Sequence, residues 1–102
     1  MIRRLYGLDR SSYQGASLYY PASNMGAEEL LLIQMKDAAQ QETIEEAIRN
    51  RIKTQKKSFD GYGVRQFDLL ENHCVVEVRG NYVLFAVGEN AEDIRSAFLS
   101  AI

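Results

Sequence analysis

The sequence predicts an α+β fold in which a four-stranded, mainly antiparallel sheet carries two helices on one face. The chain has 102 residues, the size of one small domain that can bury its own core. Its apolar residues alternate in short stretches typical of strands, and they recur at helical spacing in two longer ones. The order is strand, strand, helix, strand, strand, helix (ββαββα). Elements in this order pack as a two-layer sandwich.

The composition excludes several classes of protein. With 46% hydrophobic and 25% charged residues, the chain is unlike a disordered or collagen-like sequence. The net charge of −2 gives no overall field that attracts nucleic acid or an anionic membrane. No apolar stretch reaches the roughly 18 residues of a spanning helix, and residues 1–10 lack a secretory signal. We expect a single domain over residues 1–102 that binds no nucleic acid and meets a membrane only through a missing leader or lipid anchor.

The first half of the chain is predicted to contain a helix end and two strands. Residues 1–5 resemble the end of a helix whose beginning is absent, and Gly7 suits its C-cap. Residues 16–20 are rich in aromatic side chains and predict a strand that Pro21 ends. Residues 28–36 carry five apolar side chains and favour a second strand. Leucine and glutamate also suit a short helix, which is the alternative there.

Two amphipathic segments predict helices. Residues 37–59 place Ile44, Ile48, Ile52 and Phe59 on one stripe, with Asp37 as the N-cap. Acidic residues crowd the first half of this segment and basic residues the second, which matches the helix dipole. The last segment begins at Asn90 as N-cap, and its predicted buried stripe is Ile94, Ala97, Phe98 and Ala101.

A hairpin is predicted around Gly80-Asn81, a dipeptide suited to a two-residue turn between residues 74–79 and 82–87. This turn fixes the register, so that Val78 faces Val83, Val76 faces Phe85 and Cys74 faces Val87. The segment between the long helix and this hairpin, residues 64–70, is predicted to be irregular or briefly helical.

If both helices share one face, the other face of the sheet carries an apolar patch. Its predicted members are Leu30, Leu32, Val75, Tyr82 and Leu84. Such patches are rarely left in water, so missing N-terminal sequence, a second subunit or a ligand is expected to cover it. We therefore predict a possible homodimer through this helix-free face, formed by Leu30, Leu32, Tyr82 and Leu84.

No catalytic or metal-binding motif emerges. His73 and Cys74 are the only histidine and cysteine, and adjacent residues on a strand point to opposite faces. We expect no metal, no cofactor and no catalytic residues, with Cys74 as a small hydrophobe. Gly61-Tyr62-Gly63 follows a helix, so it is interpreted as the end of that helix rather than as a phosphate-binding loop. Glu28 and Glu29 are interpreted as solvated charge.

The candidate binding residues are Tyr19, Tyr20, Arg51, Gln55, Tyr62 and Tyr82. Arg51 and Gln55 lie near the apolar side of the long helix. A guanidinium beside a core needs either a buried carboxylate, such as Asp68 or Glu71, or a ligand anion, and we favour the ion pair.

The tyrosines and one basic cluster are the other candidate contact surfaces. Tyrosines suit interfaces, although ordinary strand packing is the more frequent role. The basic cluster, Arg49, Lys53, Lys56 and Lys57, could receive a phosphate or an acidic partner. A cationic helix C-terminus is the preferred interpretation.

Several sequence segments together resemble a known family. They are Leu5-Tyr6-Gly7-Leu8-Asp9, Tyr19-Tyr20, Ala27-Glu28-Glu29-Leu30, residues 47–52 with Gln55, Phe59 and Tyr62, and Gly80-Asn81-Tyr82-Val83. In order and spacing they resemble the bacterial family catalogued as domain of unknown function 4358. The resemblance runs through nearly the whole chain. It implies an uncharacterised domain, common in Firmicutes, that usually follows a signal peptide and often a lipoprotein-type cysteine.

The resemblance carries over no activity and no catalytic residue, and its extracytoplasmic location is an implication for a chain that itself lacks the signal and the lipidated cysteine. We expect a non-enzymatic binding or interaction module of an envelope or secreted protein. The alternatives are a small enzyme with a polar site around Arg51 and a structural homodimerisation domain. A pocket that holds Arg51 with a carboxylate of raised pKa and a positioned tyrosine favours the enzyme. A flat, tyrosine-rimmed apolar surface favours binding.

Overall fold

The computed structural model describes residues 2–20, 26–61 and 63–102. Its elements are α1 (Ile2–Tyr6), β1 (Gly15–Tyr19), β2 (Glu29–Gln34), α2 (Gln41–Phe59), α3 (Val64–Asn72), β3 (Cys74–Arg79), β4 (Tyr82–Val87) and α4 (Ala91–Ala101). The four strands form one open antiparallel sheet in the order β1-β2-β4-β3. The predicted α+β class and the four-stranded sheet are confirmed.

The hairpin has the predicted register. Cys74 lies opposite Val87, Val76 opposite Phe85 and Val78 opposite Val83. Gly80 has φ of 60°, a left-handed conformation that glycine adopts without steric cost, so the two-residue turn forms where the dipeptide predicts it. The stretch over residues 28–36 is extended rather than helical, since β2 occupies most of it.

The helix ends follow local capping chemistry. Asp37 accepts a hydrogen bond from the Ala39 N–H at 2.8 Å, but it caps a short 3-10 turn over Ala38–Gln40. The long helix α2 therefore begins at Gln41, three residues later than an N-cap at Asp37 predicts. Gly7, at φ 71°, ends α1 by donating its N–H to the Arg3 carbonyl at 2.8 Å, which is the predicted C-cap role.

One face of the sheet, here called the α2 face, packs against the first three helices. Its sheet residues include Leu31, Ile33, Val83 and Phe85, which belong to one buried cluster with residues of α1, α2 and α3. Ile44 and Ile48 of α2 lie in the same cluster. The predicted apolar stripe of the long helix thus forms the main core.

Helix α4 lies on the opposite face, here called the α4 face, which contradicts the prediction that both helices share one side. Val75 and Ala86 form a second buried cluster with Ala91, and Leu30 and Ile94 pack against it. Small side chains on both sides, Ala86 and Ala91, allow the helix to lie close to the sheet. Helix α4 contacts β3 and β4, so it covers that half of the face.

Over β3 and β4, the face that was predicted to be helix-free is therefore covered by a helix of the same chain. Leu84 is buried, and the Tyr82 ring meets Phe98 of α4 edge-on, with centroids 6.5 Å apart. The dimer prediction itself stays untested, although Leu84 has no surface to offer it.

Within the described residues, no helix combines the length and the hydropathy that a membrane span requires.

Candidate functional site

Three polar side chains meet in the core of the α2 face, and we call Tyr6, Glu29 and Arg51 the polar triad. Tyr6 ends α1, Glu29 begins β2 and Arg51 lies in the second half of α2. Glu29 alternates in phase with Leu31 and Ile33, so the pleat of β2 directs it toward α2. Arg51 lies seven residues after Ile44 and three after Ile48, which places it on the buried stripe.

The triad is joined by direct hydrogen bonds. Arg51 donates from Nε to Glu29 Oε2 at 3.0 Å and from Nη2 to Glu29 Oε1 at 2.8 Å. The Tyr6 hydroxyl donates to Glu29 Oε2. The guanidinium also lies over the Tyr6 ring, 5.9 Å from its centroid. This bidentate geometry is the strongest form of an arginine–carboxylate pair.

Burial and neighbouring charge shift the pKa values of Tyr6 and Arg51. Burial raises the pKa of Tyr6, and the neighbouring Glu29 carboxylate raises it further, so the phenol stays protonated and remains a donor. Burial acts to lower the pKa of Arg51, but the hydrogen bonds and the charge of Glu29 outweigh it and raise the pKa. The Tyr6 phenol and the Arg51 guanidinium therefore both stay protonated.

This arrangement is that of a structural ion pair rather than an open polar site. The side chains of Arg51 and Glu29 are 12% and 2% exposed. Among the described residues, every buried side-chain nitrogen and oxygen has a hydrogen-bond partner. Arg51, a carboxylate and a tyrosine do meet here, but they donate to and accept from one another.

Arg51 forms an ion pair, as predicted, but its partner is Glu29 rather than Asp68 or Glu71. Asp68 instead accepts from Asn72 Nδ2 at 2.6 Å, and Glu71 pairs with Lys56 at 2.7 Å on the surface. The interpretation of Glu29 as solvated charge is wrong, because Glu29 is buried. The signal that could have revealed it is its alternation in phase with Leu31 and Ile33.

The other predicted binding residues do not gather around Arg51. Gln55 lies one turn further along α2 and is half-buried. Tyr82 lies on the α4 face, on the opposite side of the sheet from the triad. Tyr62 lies outside the described residues. Tyr19 and Tyr20 remain together at the end of β1, where both are exposed.

Comparison with known families decides what the chain is. A family model described as "Domain of unknown function (DUF4358)" matches residues 1–88, which is most of the chain. The chain belongs to the DUF4358 family. The matched part runs from α1 through β4 and ends before α4, so it contains the polar triad and the exposed tyrosines. Searches among curated proteins and among solved structures found no match for this DUF4358 chain.

The basic cluster of the DUF4358 chain is partly used within the fold. Lys56 pairs with Glu71 and lies over the Phe67 ring, 6.0 Å from its centroid. Arg49, Lys53 and Lys57 are exposed along the second half of α2, as the interpretation of a cationic helix end expects. No group of three or more metal-ligating side chains occurs in residues 2–20, 26–61 and 63–102.

Cys74 packs against the core of the DUF4358 domain. Burial raises the pKa of its thiol to about 11, although the charge of Lys56 opposes the shift. We expect alkylation by iodoacetamide, followed by mass spectrometry, to be slow at pH 8 and to accelerate as the pH approaches 11, since the thiolate is the reactive form.

The control for this prediction is the same protein in urea, whose unfolded thiol titrates near its ordinary pKa of about 8.5. The raised pKa stabilises the folded protein while the thiol is neutral. This contribution to the free energy of unfolding is lost as the pH rises from the pKa of the thiol in the unfolded chain through its pKa in the folded protein. Equal alkylation rates for folded and unfolded protein at pH 8 would contradict the packing of Cys74 against the core.

Proposed function

We propose that this domain is a non-catalytic protein-interaction module that contacts its partner through Tyr19 and Tyr20. The observation that carries the proposal is the exposure of these side chains, 68% for Tyr19 and 38% for Tyr20. Tyrosine offers a large, rigid contact area with a polar end, which is why it is enriched in the centres of interfaces. Packing within the fold accounts for Tyr6 and Tyr82, but it does not account for Tyr19.

The polar triad supports the non-catalytic part of the proposal. A catalytic acid, base or nucleophile has to reach its substrate. The Glu29 carboxylate instead accepts three hydrogen bonds from Arg51 and Tyr6 and is buried beneath them. The runner-up, a small enzyme around Arg51, requires this cluster to open.

We also propose that the module works in the cell envelope. Support comes from the family, whose members usually follow a signal peptide. A protease added to intact cells of the source bacterium is expected to degrade the protein, while a cytoplasmic marker survives. Survival of both until the cells are lysed would contradict the location.

A photocrosslinking amino acid at position 19 tests the contact surface. In the source bacterium, we expect this variant to form a discrete covalent adduct upon irradiation, because position 19 lies within the proposed interface. The matched control carries the crosslinker at Ser96, an exposed position on α4. An identical adduct pattern at both positions, or none at position 19, would overturn the proposal.

The companion variant removes both exposed rings, as Tyr19→Ser with Tyr20→Ser. Because exposed side chains contribute little to folding, we expect the free energy of unfolding to change by no more than about 0.5 kcal/mol per site. If this variant is folded but no longer binds the partner, the loss shows that Tyr19 and Tyr20 contact the partner and is not an effect of reduced stability. Urea denaturation followed by far-UV circular dichroism measures the stability.

A further inference from the structure

Strand β1 is an open edge of the sheet. Within the described residues it pairs with β2 alone. Its sequence, Gly15–Tyr19, contains no charged residue and no proline, the features by which natural proteins usually protect an edge. At the other edge, β3 carries Glu77 and Arg79. The edge at β1 is therefore the less protected of the two.

The outward-facing backbone groups of β1 follow from the pairing on the other side of β2. The Met35 N–H donates to the Asn81 carbonyl at 2.7 Å, so odd-numbered residues at this end of β2 bond toward β4. Hydrogen-bonding direction alternates along an antiparallel strand. Even-numbered residues of β2 then bond to β1, and their partners there are Gly15, Ser17 and Tyr19.

Ala16 and Leu18 consequently present their N–H and C=O groups outward. A separate contact agrees with this assignment, since Arg10 Nη2 donates to the Ala16 carbonyl at 2.5 Å from outside the sheet. The remaining outward groups, the two N–H groups and the Leu18 C=O, can hydrogen-bond to the backbone of a partner strand.

The side chains along this edge are complementary to the same strand running antiparallel. With Ser17 opposite Ser17 at a two-fold axis, Leu18 of one copy lies opposite Ala16 of the other, and Tyr19 lies opposite Gly15. Each large side chain thus meets a small one, and an aromatic ring over a cross-strand glycine is a stabilising pair. No like charges face one another, because the strand carries none.

We propose that β1 pairs with β1 of a second copy of this chain, joining the two sheets into one across a two-fold axis at Ser17. In this arrangement the hydrogen-bonded pairs are Ala16 with Leu18 and Leu18 with Ala16. The inference rests on the interaction function proposed above and identifies the partner. This edge contact differs from the dimer predicted from sequence, which used the sheet face rather than its edge.

Arg10 moderates this association. Its guanidinium occupies the Ala16 carbonyl that the partner's Leu18 N–H has to reach, so pairing exchanges one hydrogen bond for another. Two short edge strands also bury little surface, and small interfaces are weak and transient. Self-association is expected to depend on concentration rather than to give a permanent dimer.

Charge substitutions at the axis test the proposal by sedimentation velocity over a concentration series. Ser17 is exposed, so Ser17→Lys and Ser17→Glu leave the fold intact but oppose like charges in the dimer. Each variant alone is expected to associate at least about tenfold more weakly than the parent. An equimolar mixture of the two is expected to regain association, and Ser96→Lys, with the same change on α4, to behave as the parent.

Amide hydrogen exchange gives a readout that depends on register. As concentration rises, the amides of Ala16 and Leu18 are expected to become protected, while those of Ser17 and Tyr19, already bonded to β2, stay unchanged. Protection at all four positions, or at none, overturns the pairing, as does association that Ser17→Lys leaves intact.

The failure of this inference is distinguishable from failure of the proposed function. A purified chain that stays monomeric at every concentration, together with an adduct to a different protein from position 19 in cells, overturns self-pairing and supports the interaction module. A monomeric chain with no adduct at position 19 overturns both.

Discussion

Replacing Arg51 with methionine is expected to lower the free energy of unfolding by about 3–5 kcal/mol. Methionine keeps much of the side-chain volume, so the loss comes from charge rather than from a cavity. The Glu29 carboxylate, which is 2% exposed, would remain buried without its counterion. A domain of this size has a total stability of roughly 5–15 kcal/mol, so the variant is expected to be barely folded. Urea denaturation monitored by circular dichroism measures the change.

Removing the whole triad is expected to recover most of the loss. A triple variant, Tyr6→Phe with Glu29→Met and Arg51→Met, leaves neither a buried charge nor an unpaired hydroxyl. Replacing a buried ion pair by apolar side chains of similar size is often neutral or stabilising. Recovery in the triple variant shows that the single substitution acts by orphaning Glu29.

Lys56 provides the matched control for Arg51, because it lies on the same helix and also pairs with a glutamate. Its pair with Glu71 is partly exposed on both sides, and such surface pairs contribute about 0–1 kcal/mol. Lys56→Met is therefore expected to change stability little. Comparable losses for Arg51→Met and Lys56→Met would contradict the burial of the triad.

The hairpin and the long helix could be predicted because local sequence determines them. A Gly-Asn turn fixes the register of β3 against β4, and no distant contact can shift it by one residue without turning every side chain to the other face. The stripe of Ile44 and Ile48 likewise identifies the buried side of α2. In both cases local preference and final packing agree.

The sequence could not show in the same way which face of the sheet α4 packs against, because both faces are apolar. A helix with one apolar stripe fits either. The sequence of β4, Tyr82–Val87, did contain a signal, since it is a continuous apolar run rather than an alternating one. Such runs are typical of strands covered on both faces. The continuous apolar run of β4 therefore predicts that the second face is covered, contrary to its interpretation as an open surface.

Glu29 illustrates a different limit. A glutamate at the beginning of a strand is usually solvated, and Glu28 beside it is exposed. Its burial depends on Arg51, which lies 22 residues away, and on Tyr6 from the first helix. The predicted partners, Asp68 and Glu71, both follow Arg51 in the chain, whereas Glu29 precedes it, so the ion pair was predicted but its carboxylate was not.

Replacing Phe98 with alanine is expected to lower the free energy of unfolding by about 3 kcal/mol. Phe98 is one of the two buried residues of α4, and its ring packs against Tyr82. Its removal leaves a cavity between α4 and the sheet. Ser100→Ala, an exposed change on the same helix, is the control and is expected to stay within about 0.5 kcal/mol of the parent.

Double-mutant cycles then distinguish the two possible faces for α4. Tyr82 and Phe98 are in contact, so their alanine substitutions should be non-additive, with a coupling of about 0.5–1.5 kcal/mol for an aromatic pair. Ile48 lies in the cluster on the opposite side of the sheet, and its substitution by valine should add to that of Phe98 within about 0.5 kcal/mol. If α4 instead lay beside α2, Phe98 would couple to Ile48 and not to Tyr82. The cycle therefore tests the placement of α4, which the sequence predicted wrongly, and it does so without reference to any partner.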